Sequence, residues 1–285
     1  MSAVKERKDM PLFSIITTCR NAADCISGTI ESVLSQDHRD FEYIVMDGAS
    51  DDDTANIARS YTEAFEKAGI DYAVYIEIDH GIYEGMNNAL AHANGDYVNF
   101  MNADDRLADS HTLTEIAGVI TAANSDGGQA PGIFYGDCAA VEFGQTYRFI
   151  KDISVIEKKM PFSHQSVFAS RELLTRFPFD ESNRIASDYG FLLDAYTNGV
   201  RFYDLGIRVC RVTLDGLSSL SLLNTFTETV KVQRQHGIDL YPGKLYDRKI
   251  KTLKIKQFVM DHFPKCVIMM IRKMQRIHRG QNEHC

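Results

Sequence analysis

The sequence predicts an α/β fold organised on parallel strands. Four short apolar, β-branched runs each give way to a segment with helical spacing, and each run ends in polar, mostly acidic residues. No Gly-rich phosphate loop follows any of the four. The first run leads into Thr18-Cys19-Arg20-Asn21-Ala22, without the GxGxxG that lets a pyrophosphate approach the backbone, so a dinucleotide site of the Rossmann kind is not expected.

Taken in order, Leu12 to Thr18 suits a central strand, and Ile26, Ile30, Val33 and Leu34 recur at the spacing of a covering helix. Phe41 to Met46 repeats the strand signal. It stops at Asp47-Gly48-Ala49-Ser50-Asp51-Asp52-Asp53-Thr54, a loop rich in turn residues, before a helix expected around Ala55 to Ala68. A third strand, Tyr72 to Ile78, ends at Asp79-His80-Gly81, and Ile82, Met86, Leu90 and Ala93 share one side of the next helix. The fourth strand lies in Asp96-Tyr97-Val98-Asn99-Phe100-Met101-Asn102-Ala103-Asp104-Asp105 and ends in adjacent carboxylates.

Parallel strands deliver their last side chains to one sheet edge, where open α/β folds bind ligands. Thr17 and Asn21, Asp47 and Ser50, Asp79, and Asp104 with Asp105 therefore converge. Two adjacent acids repel, so a positive group should share their site. A hard divalent cation, Mg²⁺ or Mn²⁺, is the natural candidate, because it keeps waters and bridges to substrate phosphates. A solvated Asp-Asp turn capping the next helix is the plainer alternative.

With 285 residues, 44% of them hydrophobic, the chain can bury one large domain, alone or with an appendage. No apolar run is long enough to span a bilayer, and Met1 to Met10 lacks the apolar core of a signal peptide, so a cytosolic protein is the default reading. Six cysteines without CxxC spacing fit reduced, mostly buried thiols. The net charge of −8 conceals an asymmetry: Lys244 to Arg279 holds 11 Lys/Arg against two Asp. The acidic remainder is not expected to bind nucleic acid.

Pro11 to Arg20, the Asp47 to Asp52 loop, the segment Asp79-His80-Gly81-Ile82-Tyr83-Glu84-Gly85-Met86-Asn87, and Asn102-Ala103-Asp104-Asp105 together resemble the nucleotide-binding half of family 2 glycosyltransferases in order and approximate spacing. Further on, Ile133 to Asp137, Pro161-Phe162-Ser163-His164-Gln165-Ser166-Val167-Phe168 and Ser187-Asp188-Tyr189-Gly190-Phe191 extend the resemblance, as does Asp215-Gly216-Leu217-Ser218, similar to a stretch where a mobile loop often covers the diphosphate. The resemblance spans roughly residues 11 to 220 and draws its specificity from the combination.

It implies a GT-A α/β fold, a mixed Rossmann-like sheet sandwiched by helices, with a nucleotide-sugar half at about 11–107 and an acceptor half at about 108–220. Residues 1–10 are expected to be a flexible N-terminus and 221–285 a basic helical extension. The resemblance implies that Asp47 touches the nucleotide base, that Asp79 lies beside the nucleoside, that Asp104 lies near the ribose or diphosphate, and that Asp105 ligates the metal with Asp104 beside it. Thr17, Asn21, Ser50, Asn102 and His164 are the further expected donor contacts, and Asp188, opening a helix, matches the catalytic base.

Several of these residues have ordinary structural uses. Asp188 precedes Tyr189, Phe191, Leu192 and Leu193 and could simply be a helix N-terminal carboxylate; Asp47 and Asp52 could be turn formers and caps. His164 serves equally as a structural histidine or as a contact to diphosphate or acceptor. His80 stands where a Lys or Arg is expected, and Arg184 reads as a solvated loop residue rather than a phosphate contact.

Beyond the domain, Ser219 to Gln235 reads as a helix broken by Gly237, and Tyr246 to His262 and Lys265 to Ile277 read as basic amphipathic helices punctuated by Pro264. Phe258, Val259, Phe263, Val267, Met270, Ile271, Met274 and Ile277 lie among many Lys and Arg, a combination suited to an anionic membrane surface or to packing on protein. The expected protein is a metal-dependent inverting glycosyltransferase. It would use a nucleotide-diphosphate sugar and a glycan or lipid-linked acceptor in surface polysaccharide assembly (capsule, exopolysaccharide or O-antigen), and would be cytoplasmic or peripheral on the inner face of the membrane. The alternatives are a sugar nucleotidyltransferase, disfavoured by the absence of a Gly-rich basic loop after the first strand, and an inactive nucleotide-sugar-binding module.

Overall fold

A computed structural model describes residues 10–125, 128–142, 145–149, 151–213 and 221–262. The first three βα units follow the predicted pattern: β1 (Phe13–Cys19), α1 (Ile26–Leu34), β2 (Phe41–Asp47), α2 (Thr54–Ser60), α3 (Thr62–Ala68), β3 (Asp71–Ile76), α4 (Ile82–His92) and then β4 (Tyr97–Phe100). Every residue of β1, β2 and β4 is buried, which is why these strands read as continuous apolar runs; β3, at the sheet edge, is half-buried between exposed ends.

The helix expected at 55–68 is two helices. Ser60 Oγ and Thr62 Oγ1 donate to the carbonyls of Ile57 and Arg59, three residues back, and Tyr61 N bonds to Ala58 O, tightening and breaking the turn at Tyr61.

The second half contains β5 (Arg106–Leu107), α5 (Thr112–Ser125), β6 (Ile133–Glu142), β7 (Gln145–Phe149), β8 (Val167–Ser170), α6 (Arg171–Arg176), α7 (Ser187–Thr197) and β9 (Phe202–Thr213). The strand expected over Ile133 to Asp137 runs five residues further, to Glu142, because β9 pairs along its length. The pairing shifts register beside Gly136, where a Cβ would lie 2.5 Å from Val209 Cγ2 and 2.8 Å from Ile207 O. Two helices follow, α8 (Leu222–Gln235) and α9 (Lys244–His262), with Gly237 at φ +74 between them.

The sheet order is β3-β2-β1-β4-β8-β6-β9-β5, with β7 on β6. β1 to β4 pair in parallel, whereas β8 is antiparallel to both β4 and β6, so the sheet is mixed. One core face packs Phe13, Ile15, Ile30, Tyr43, Phe65 and Ile116, and the other packs Ile16, Ile44, Met86, Phe100, Leu192 and Val232. Alternation along β1 thus divides its side chains between two helical layers. Asp215 to Ser218, the helix expected over Lys265 to Ile277, and residues 1–9 lie outside the described residues.

Candidate active site

At the C-terminal edge of β1, the alternating pleat decides which threonine can meet a ligand. Thr17 is 0% exposed, with its Oγ1 3.0 Å from the hydroxyl of buried Tyr43. It belongs to the core between β1 and the α1–α3 layer, and the expectation that it contacts the donor is corrected. Thr18, one residue on and on the opposite face, lines the cleft instead.

The neighbouring loops are braced against each other. Asn21 adopts φ +53, a left-handed conformation that Asn tolerates, and its Oδ1 accepts from Asp51 N at 2.9 Å while its backbone N–H donates to Ser50 Oγ at 2.8 Å. Ser50 donates to Asp47, which is 1% exposed, through both its hydroxyl and its backbone N–H. Asp52 accepts from Thr54 N at 3.0 Å and from Ala23 N at 3.1 Å, so it forms a turn at the start of α2, one residue before the N-cap Asp53, and ties the two loops together. Asp79 lies against the backbone of the second loop, since a Cβ on Gly48 would sit 2.4 Å from its Oδ2. Burial pushes the Asp79 carboxyl above the usual carboxylate range.

A cleft of 580 Å³ opens beside these loops and brings together Thr18, Asn102, Asp104, Asp105, His164 and Asp188. Tyr83, Phe149, Met160, Phe162, Ile185, Thr225 and Thr229 form other parts of its wall, the last two from α8. Asn21, Asp47, Ser50 and Asp79 are not among the cleft-lining residues. Arg184 is exposed at its rim, and His80 is exposed and turned to Glu84, 3.0 Å from Nδ1 to Oε2.

The paired acids differ in setting. Asp105 is 1% exposed; its Oδ2 accepts from Gln165 Nε2 at 2.7 Å and its Oδ1 from Thr213 N at 3.0 Å. Burial, followed by the charge of Asp104, pushes its carboxyl up to about 7. Asp104 is half-buried and accepts from Thr213 Oγ1. Asn102 Oδ1 is buried with no hydrogen-bond partner among the described residues.

Two acids and an amide oxygen facing one cleft are hard oxygen donors, and the unfavourable proximity of the acids is relieved by a cation. The residues present therefore fit a divalent metal that completes its shell with water and ligand oxygens. Among the described residues no group of three or more His, Cys, Asp and Glu is arranged as a self-sufficient cage.

Asp188 stands in the first turn of α7, with its side chain 16% exposed. Tyr83 Oη donates to its Oδ1 at 3.0 Å, Tyr189 N does so at 2.8 Å, and His164 Nδ1 lies 3.1 Å from its Oδ2. His164 Nε2 is buried and without a partner among the described residues, so the ring is turned to Asp188 through Nδ1. Sequence reading missed Thr18, Tyr83, Gln165 and Thr213. Gln165 adjoins His164 and Thr213 ends a strand, but only coordinates reveal that both reach Asp105.

A family model described as glycosyl transferase family 2 matches residues 14–174. The PGL/p-HBAD biosynthesis glycosyltransferase of Mycobacterium bovis is 28% identical over 190 residues, covering 66% of this chain and 71% of that protein. The putative teichuronic acid biosynthesis glycosyltransferase TuaG of Bacillus subtilis is 40% identical over 96 residues, 34% of this chain and 37% of TuaG. Among solved structures, S. aureus TarS 1-349 in complex with UDP superposes with a TM-score of 0.60 at 22% identity, over 79% of this chain and 64% of that one. The mannosyltransferase PcManGT from Pyrobaculum calidifontis, in complex with GDP-Man and Mn2+, gives a TM-score of 0.62 at 19% identity over 88% and 70% of the respective chains. These likenesses show a shared GT-A fold. The match of the family model over more than half of the chain, on this sheet and with these loops at its edge, places the protein in glycosyltransferase family 2.

Proposed function

We propose that the protein is a metal-dependent, inverting glycosyltransferase that moves a sugar from a nucleoside diphosphate to an acceptor hydroxyl. The observation that carries this reading is the placement of Asp188 and the pair Asp104–Asp105, from opposite halves of the chain, on the walls of one cleft. A single displacement needs charge neutralisation at the leaving diphosphate and a proton acceptor near the attacking hydroxyl.

Asp104, Asp105 and the unpartnered Asn102 oxygen would hold the cation, which would supply positive charge to the departing diphosphate. The Asp47–Ser50 loop and Asp79 would receive the nucleoside at the sheet edge. Asp188 would take the hydroxyl proton as the oxygen bonds to the anomeric carbon and the carbon–diphosphate bond breaks, the electron pair leaving with the nucleotide. Tyr83 and His164 orient its carboxylate. Solved neighbours hold UDP or GDP-Man, which supports a nucleotide-sugar donor, and the relatives named for glycolipid and teichuronic acid synthesis support an acceptor in cell-surface glycan or glycolipid assembly.

The test is a panel of UDP- and GDP-sugars assayed for Mn²⁺- or Mg²⁺-dependent binding and slow hydrolysis. One donor should bind selectively and be cleaved to free sugar and nucleoside diphosphate, with EDTA abolishing the cleavage. Pyrophosphorolysis to a nucleoside triphosphate would instead identify a nucleotidyltransferase.

The membrane part of the reading rests on α9. It packs inward through Tyr246, Ile250 and Leu253 and leaves Arg248, Lys251, Ile255 and Phe258 exposed, the last two at 67% and 58%. A face combining cations with exposed apolar groups favours an anionic lipid surface as its partner. Among the described residues no helix is long and apolar enough to cross a membrane. Lys251→Glu with Phe258→Glu should reduce sedimentation with anionic vesicles several-fold at low salt, and parental binding should weaken as salt rises. Equal binding by parent and variant would exclude this face.

A further inference from the structure

Helix α8 begins 48 residues after the end of the matched family segment at residue 174, yet it is bound closely to the loop that delivers Asp188. Glu228, half-buried on α8, accepts three consecutive backbone N–H groups with one carboxylate oxygen: Arg184 at 3.0 Å, Ile185 at 2.6 Å and Ala186 at 3.1 Å. Successive N–H groups converging on one oxygen form an anion nest, and a charged acceptor makes each bond stronger than a neutral one. Nearby, Lys231 Nζ donates to Ser182 Oγ and Asn183 Oδ1, and Gln233 Nε2 to Glu157 O and Tyr189 Oη. The Lys231 contacts tie the same loop to α8, and those of Gln233 tie α8 to Tyr189 of α7 and to the segment at Glu157.

We propose that Glu228 is a positioning residue for Asp188, fixing through the nest at 184–186 the point at which α7 enters the cleft. The inference rests on the reading of Asp188 as base. Tyr83 and His164 set the rotation of the Asp188 carboxylate, and the Tyr83 hydroxyl also meets the backbone at Ser187 and Asp188. The backbone two residues before Asp188 is set by Glu228. Catalytic geometry tolerates little displacement, about 1 Å being enough to cost roughly a hundredfold in rate. Donor binding would draw chiefly on the Asp47–Ser50 loop, Asp79 and the Asp104–Asp105 pair, and should depend much less on this loop, which reaches the cleft through Arg184, Ile185 and Ala186.

The experiment compares the parent, Glu228→Ala and Glu228→Gln in the full chain. It uses hydrolysis of the UDP- or GDP-sugar selected by the panel, with water in place of the acceptor. Glu228→Ala should lower kcat by roughly ten- to a hundredfold with donor affinity within about twofold of parent. Glu228→Gln, which keeps a carbonyl oxygen for the nest, should recover most of the rate. Amide hydrogen exchange at 184–186 should accelerate in the Ala variant and much less in the Gln variant.

A Glu228→Ala enzyme with parental kcat, or one whose donor affinity falls in step with kcat, would overturn the positioning role. A parent that hydrolyses or transfers no sugar from any donor would overturn the base reading and this inference together. The exchange data would still report whether the nest forms, which separates that failure from a failure of the clamp alone.

Discussion

Asp47 takes its hydrogen bonds from Ser50, three residues along the chain, whereas Asp105 takes its from Gln165 and Thr213, 60 and 108 residues away. The same contrast separates the two halves generally. Around β1 to β3, polar residues are held within one βα loop or by the next, as Asn21 is by Ser50 and Asp51. Around β4, β8, β9 and α7, each acid depends on side chains or backbone supplied by a different element, as Asp188 does on Tyr83 from α4 and on His164. A locally braced site tolerates damage elsewhere in the fold, while a site assembled from distant elements requires the whole sheet to be in place.

Under the proposed function, the contrast breaks first at Asp188. Asp188→Asn should lose two to four orders of magnitude in donor hydrolysis, roughly the range of general acid–base catalysis, with donor and metal binding nearly unchanged. Asn also serves at a helix N-terminus, so near-parental turnover in steady-state assays would reduce Asp188 to a structural carboxylate.

Asp105→Asn should come next. Its amide can accept from Gln165 Nε2 or from Thr213 N but not from both, and it is a poorer ligand for a hard cation. Metal-dependent donor affinity should fall roughly tenfold or more by calorimetry, with a loss of stability on the order of 1–3 kcal/mol from the unmet donor. Unchanged metal dependence would move the metal to other ligands.

The smallest effect should fall in the locally braced half. Asn21→Ala removes the bond to Asp51 N and places Ala at φ +53, costing about 1–2 kcal/mol in chemical denaturation. Donor Kd should rise a few-fold with turnover of bound donor unaltered. A loss of turnover as large as that of Asp188→Asn would show that the two halves are energetically one unit.

How much of this was legible beforehand follows the same division. The strands β1 to β4 could be read because central parallel strands are apolar throughout and each ends in its own polar loop, a pattern confined to consecutive residues. Asp104, Asp105, His164 and Asp188 were legible through the combined motifs, and all four line the cleft. Thr17 was misplaced by one position, because a polar residue ending an apolar run does not announce its face until its packing, here against the Tyr43 hydroxyl, is known.

The sequence by itself determined the α/β class, the order of the first βα units and the acids at their ends, since these depend on periodicity and turn chemistry within a few residues. Only the tertiary structure decided that Gln165 and Thr213 enclose Asp105, that Tyr83 and His164 flank Asp188, and that Glu228 gathers three N–H groups of the loop before α7. Those contacts join residues from 24 to 108 positions apart, as His164–Asp188 and Asp105–Thr213 mark the extremes. A hydrogen bond between distant residues leaves no periodic trace in either segment; it exists only once the packing of sheet and helices has brought the two together.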